Sequence, residues 1–203
     1  MADDPIRAFI AVPVPPPLRA SISSAVHVLR AVPGGERVRW VPPENLHVTL
    51  RFLGNIERSL VPTLLDAIRP EVARHTAFEV RLGPVALFPP GRRPHVVALE
   101  MQPTEPLVAL AASVEHAVQE LGLPAKERAF RAHLTLGRMR DRKKPFAVTG
   151  SDTTLSDPLP VTEAILFQSE LRSQDRSRNS ALHTPLGQAA LGAGRGGHAS
   201  PLI

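Results

Sequence analysis

His47-Val48-Thr49-Leu50 and His133-Leu134-Thr135-Leu136 are one four-residue phrase with a single conservative change, set 86 residues apart in a chain of 203. Side chains on a β-strand alternate between faces, so each copy would put His and Thr on one side and Val or Leu on the other. A Ser or Thr two places after a given His arises by chance roughly once in eight, from average composition. With eight histidines one such match is expected for nothing. Two matches with apolar residues at the alternate positions, one in each half, point to a single active site divided between two strands.

Working outward, each copy is preceded by a strand and a helix. Arg7 to Val14 reads as a strand, and Pro15-Pro16-Pro17 opens a helix with the apolar stripe Leu18, Ile22, Ala25, Val26 and Leu29. Pro33-Gly34-Gly35 stops it, and a turn at 42–44 delivers the first motif strand, Leu46 to Leu53, which Gly54-Asn55 ends. A second helix over 60–75 carries Leu64, Leu65, Ile68 and Val72, and strands 78–82 and 85–88 follow. The second half repeats the order: a strand from Val96 to Met101, a helix striped by Leu107, Leu110, Ala111, Val114, Val118 and Leu121, then the second motif strand at 130–139. Strands at 161–171 and 181–186 close the fold. The pattern predicts α+β architecture in two facing, duplicated lobes forming one domain over residues 1–186. From Gly187 to Ile203 the chain is rich in Gly and Ala and is read as a largely flexible tail.

Composition narrows the chemistry. There is no cysteine, which excludes disulfides and thiolate metal sites, and no His-x-x-x-His pair, so neither a metal nor another cofactor is expected. No run approaches the ~18 apolar residues of a membrane span, and the acidic start Met1-Ala-Asp-Asp-Pro5 is unlike a signal peptide, so the expected location is the cytoplasm. Net charge is +5, and lysine occurs only at 126, 143 and 144. Arginine binds phosphate bidentately, so a polyanion is a natural partner. The run Arg138, Arg140, Arg142, Lys143, Lys144 begins where the second motif ends.

Two histidines opposed across a cleft suit phosphoryl chemistry at neutral pH. One neutral imidazole takes a proton from water while a protonated one gives a proton to the leaving oxygen. The threonine hydroxyls, about 7 Å along each strand, would donate to non-bridging phosphate oxygens.

Asn45-Leu-His-Val-Thr-Leu-Arg-Phe-Leu-Gly54 and Phe130-Arg-Ala-His-Leu-Thr-Leu-Gly-Arg138 resemble the two signature segments of the 2H phosphoesterases, specifically the RNA 2′,3′-cyclic phosphodiesterases, also called 2′-5′ RNA ligases. Arg7-Ala-Phe-Ile-Ala-Val12, Trp40-Val-Pro, Leu87-Phe-Pro, Leu166-Phe-Gln-Ser-Glu-Leu171 and His183-Thr-Pro-Leu186 extend the likeness over residues 6–186. The resemblance implies two pseudo-twofold lobes of antiparallel sheet, with outer helices, around a central cleft. It implies metal-independent hydrolysis of an RNA 2′,3′-cyclic phosphate end to a 2′-phosphate, tRNA fragments being one source of such ends, with reversible 2′-5′ ligation as the related reaction. His47 matches the proton donor to O3′, His133 the proton acceptor from water, Thr49 and Thr135 the phosphate-holding hydroxyls, Arg138 a phosphate-binding arginine, and Phe52 an aromatic position after the first motif. The chain departs from the family in carrying Ala132 where proline is usual.

Strict alternation sits awkwardly with two of these assignments. It puts Arg51 on the His47 face and Phe52 on the other, and in the second copy it puts Gly137 on the His133 face and Arg138 on the other. A bulge permitted by Gly137 would turn Arg138 inward. Without it, Arg51 is the better phosphate ligand. The other histidines are read as packing or surface residues, with His95 and His183 standing nearest the cleft. A chain that completes its own site is expected to act as a monomer. Two other readings of the same cleft are an RNA-end binding protein without turnover and a 2H enzyme acting on a small cyclic nucleotide or an ADP-ribose cyclic phosphate.

Overall fold

A computed structural model of the chain describes residues 4–90, 94–126, 128–140, 155, 157–171 and 181–193. Arg142, Lys143, Lys144 and the last ten residues, all of which figured in the expectations above, lie outside the described residues.

The chain runs β1 (Ile6–Pro13), α1 (Pro16–Ala31), β2 (Val38–Trp40), β3 (His47–Ile56), α2 (Val61–Ala73), β4 (Phe78–Phe88), β5 (Val96–Gln102), α3 (Glu105–Glu120), β6 (Leu134–Met139), β7 (Leu159–Val161), β8 (Glu163–Leu171) and β9 (Ala181–Ala190). Proline stands in the first turn of all three helices, where a missing N–H costs nothing. The buried stripe of α1 is the five residues its periodicity gives, and that of α2 the four. In α3 the stripe also takes in Ala117 and the charged Glu115, while Leu121, expected in it, falls just past the helix end and is half-buried.

Two antiparallel sheets result, ordered β3-β1-β8-β9 and β2-β6-β5-β4-β7. The pseudo-symmetry is visible in the pairing: motif strand β3 lies beside the opening strand β1 of its half, and motif strand β6 beside the opening strand β5 of the other. The halves also exchange elements. Strand β2 from the first half pairs with β6, β8 from the second pairs with β1, and α3 packs under β3. One continuous apolar core therefore joins both lobes, from Ile10, Val12 and Val48 to Leu99, Leu134 and Leu136.

Several boundaries differ from the sequence reading. Residues 78–88 form one strand, whose register slips between Leu82 and Val85 at Gly83-Pro84. β3 continues past Gly54, which takes a positive φ of 74° within the strand. The second motif strand begins only at Leu134, so His133 stands at its mouth. The tail boundary drawn at Gly187 cuts through β9: the strand runs to Ala190, Ala189 and Leu191 are buried, and Gly192 bridges to Thr76. Backbone pairing with β8 orders this stretch, so its poverty in large side chains did not decide the matter.

Candidate active site

The two motif strands share an irregularity that composition does not reveal. In β3, Thr49 pairs with Ala11 and Arg51 with Ile10, so Leu50 has no partner on β1. In β6, Thr135 pairs with Ala98 and Gly137 with Val97, so Leu136 has no partner on β5. Each is a bulge at the fourth residue of the motif, and each shifts the alternation of the residues that follow by one, in β3 as far as a second bulge at Leu53. The fifth residue after each histidine thereby returns to the histidine's face, and the fourth turns toward the interior.

Both departures from strict alternation follow from that shift. Phe52 pairs with Phe9, whose ring lies 4.8 Å from the His47 ring and 5.9 Å from that of Phe52. Phe52 is 55% exposed, an aromatic face left open to the cleft. Arg138 is likewise exposed, and its charge reaches His47. Gly137 serves a different need from the one expected of it: a Cβ there would come within 2.5 Å of the Val38 side chain and 3.2 Å of the Trp40 ring, so glycine lets β2 close on β6.

Arg51 is not available to a phosphate. Its Nε lies 2.9 Å from Glu115 Oε2 on α3, with both side chains about nine-tenths buried, and its Nη2 donates to the Pro124 carbonyl. The Nε contact is electrostatic rather than a directed hydrogen bond. Glu115 Oε1 accepts from Gln119 Nε2 and from the Lys126 backbone N–H, both at 2.9 Å. Glu115 was the unread signal, a carboxylate inside an otherwise apolar helical stripe, and a buried charge of that kind needs a cation.

The histidines are held alike. His47 Nδ1 is 2.7 Å from the Asn45 carbonyl and His133 Nδ1 is 2.8 Å from the Arg131 carbonyl, in each case two residues upstream. A carbonyl only accepts, so Nδ1 carries the hydrogen and Nε2 is left for the cleft. Nε2 is then a base when the ring is neutral and an acid when it is protonated. Asn45 is itself buried, its side-chain amide donating to the Ala181 carbonyl at 2.6 Å, which ties the first histidine's support to β9.

Their surroundings differ. His47 packs on Phe9 and, edge-on at 5.2 Å, on His183. Burial pushes its imidazolium down to about 4; the Asn45 carbonyl pulls the other way, and the positive charges of His183, Arg138 and His133 add to the depression. Burial also lowers His183. His133 stacks on Phe88 at 4.9 Å, and beside it opens a groove of about 680 Å³ lined in part by Phe88, Glu100, Phe130 and Arg131. His183 and Phe9 belong to the site although the sequence only hinted at them. In β1 nearly every residue is apolar, so alternation gives no clue, and His183 lies three strands from His47 in a sheet that must curl to bring the rings together. His95 contributes backbone bonds, accepting from Met139 and donating to Phe88. Thr49 and Thr135 lie on the cleft side of their strands, half-buried. Among the described residues, no three His, Asp or Glu side chains gather as metal ligands, and no helix is long and apolar enough to cross a membrane.

Two facing lobes, each offering a histidine, a threonine and a fifth-position side chain to one cleft, define a phosphoesterase of the two-histidine type. Residues 14–168 match the family described as the 2′-5′ RNA ligase superfamily, and the chain belongs to it. The chain is 33% identical to an RNA 2′,3′-cyclic phosphodiesterase of Thermus thermophilus, over 82% of this chain and 83% of that one. It is 29% identical to the enzyme of the same name from Methanothermobacter thermautotrophicus, over 82% and 91%. Among solved structures, TT0787 of Thermus thermophilus superposes with a TM-score of 0.75 at 26% identity, covering 93% of this chain and 99% of that one. Escherichia coli LigT complexed with 3′-AMP does so at 0.68 and 28%, with the same coverage.

Proposed function

We propose that the protein hydrolyses the 2′,3′-cyclic phosphate end of an RNA to a 2′-phosphate, with His133 as base and His47 as acid. In this scheme His133 Nε2 takes a proton from water as the water oxygen bonds to phosphorus, the P–O3′ bond breaks opposite it, and His47 Nε2 gives a proton to O3′. Solvent then resets both rings. Arg138 and the hydroxyls of Thr49 and Thr135 stabilise the charge building on the non-bridging oxygens. Phe52 stacks the terminal base. An RNA 5′-hydroxyl in place of water would run the same step toward a 2′-5′ linkage.

The observation that carries this reading is the matched tautomer lock: two histidines whose Nδ1 atoms are tied to backbone carbonyls, leaving both Nε2 atoms to act, with the charge of His133 reaching His47. The depressed His47 gives the acid a condition. It is neutral in the free protein at pH 7, and a bound phosphate anion, reversing the sign of its surroundings, restores its proton. The names of the relatives support the substrate. The test is to incubate the protein in EDTA with an oligonucleotide ending in a 2′,3′-cyclic phosphate. A 2′-phosphate end is expected; a 3′-phosphate end, no product, or undiminished turnover by His47→Ala would overturn it.

A further inference from the structure

Strand β2 sets arginine directly against arginine. Arg39 pairs with Arg138 across the β2–β6 ladder, and the ladder continues one rung further, where the Arg140 N–H bonds the Arg37 carbonyl at 3.0 Å. Residues facing each other across an antiparallel pair share a face, and residues two apart on a strand share it too. Arg39 and Arg138 therefore leave the same side of the ladder, the side on which Arg138 approaches His47, and the Arg140–Arg37 backbone bond, just past the strand ends, carries the same register onward. Arg39, Arg138 and Arg140 are exposed, and among the described residues none of the three forms an ion pair. Arg37 alone has a carboxylate, that of Glu36 at 3.2 Å. On its other flank Arg138 faces Val96, which offers no counter-charge.

Like charges placed directly opposite on a sheet destabilise it. Charge on the short edge strand β2 would discourage edge-to-edge pairing, but Arg39 alone would do that. Two successive opposed rungs, about 7 Å apart by strand rise, instead repeat on the scale of neighbouring phosphates in a nucleotide strand. We propose that Arg39 and Arg140 form a phosphodiester track continuous with Arg138, which holds the RNA backbone on the 5′ side of the cyclic end. The inference rests on the function proposed above and sharpens its substrate: an oligonucleotide end rather than a mononucleotide.

The test compares wild type with the double variant Arg39→Gln, Arg140→Gln on two substrates, a nucleoside 2′,3′-cyclic phosphate and a cyclic-phosphate-ended octanucleotide, over a series of salt concentrations. The variant is expected to lose about tenfold in kcat/KM on the octanucleotide at low salt while changing less than about threefold on the mononucleotide, and its slope of log(kcat/KM) against log salt should fall by about 1.4, two single-strand contacts at roughly 0.7 each. Equal losses on both substrates, or no loss on the octanucleotide, would overturn the track. Anisotropy of a labelled octanucleotide bound to each protein reads the same salt slope without turnover. If wild type cleaves neither substrate, the cyclic phosphodiesterase reading fails, and the binding slopes alone still decide the track: a difference of about 1.4 upholds it and equal slopes reject it.

Discussion

The two motif strands are built to one plan and finished differently. β3 begins at His47 and β6 directly after His133, each histidine has its Nδ1 tied to a carbonyl two residues back, and each strand bulges at the last leucine of the motif. Past the bulge, β3 offers an aromatic ring to the cleft and an arginine to the core, whereas β6 offers an arginine to the cleft and a glycine to the core. Under the proposed function, the first lobe would supply a surface for a base and the second a charge for a phosphate. Shared backbone geometry fixes where a side chain points, and side-chain identity then divides the work.

If that division holds, the two fifth-position residues should fail in different ways. Arg138→Ala is expected to lower kcat by about 10²–10³, the cost of removing a donor aimed at developing charge. A loss confined to KM would place Arg138 in ground-state binding only. Arg51, its near neighbour in type but not in orientation, should behave as a core residue. Arg51→Ala leaves Glu115 buried without its cation and is expected to cost about 3 kcal/mol of stability in urea unfolding, with kcat per folded molecule unchanged. A stable variant with impaired turnover would return Arg51 to the phosphate.

Phe52→Ala is expected to raise KM about tenfold on a nucleotide end through lost stacking, with little change in kcat. An equal effect on kcat would mean that the ring also positions His47 through Phe9. A further effect concerns charge. His47 should titrate at about 4 in the free protein by NMR, and inorganic phosphate should move it upward by about a unit or more, because an anion favours the imidazolium. Its folded value lies below the unfolded ~6.5, so the unfolded chain takes up the proton first as pH falls. The contribution to stability is therefore present above pH ~6.5 and is lost progressively down to pH 4, by up to about 3 kcal/mol. A free-protein midpoint near 6.5 would contradict both expectations.

Much of this was legible in the chain. The helix stripes of α1 and α2 and the paired strands carrying His47 and His133 follow from periodicity, because burial on one face writes itself into the sequence. The bulges do not. Leu50 and Leu136 are ordinary apolar strand residues, and what makes them bulge is the pairing register of strands far away in sequence. A single unpaired residue reverses the orientations that follow it, which is why strict alternation put Arg51 on the His47 face and Phe52 on the other. His183 was hard to place for the same reason: its nearness to His47 depends on the curl of a four-stranded sheet rather than on any local pattern.

The division of labour between the histidines is tested most directly by changing the leaving group. A nucleoside 2′-(p-nitrophenyl phosphate) releases p-nitrophenolate, which needs no proton, in place of O3′. With the cyclic phosphate, His47→Ala and His133→Ala should each lose about 10²–10⁴ in kcat. With the aryl ester, His47→Ala should recover to within about tenfold of wild type while His133→Ala stays impaired, since only the acid has become dispensable. Recovery of His133→Ala instead, or equal impairment of both on both substrates, would contradict the assignment of His47 as acid and His133 as base.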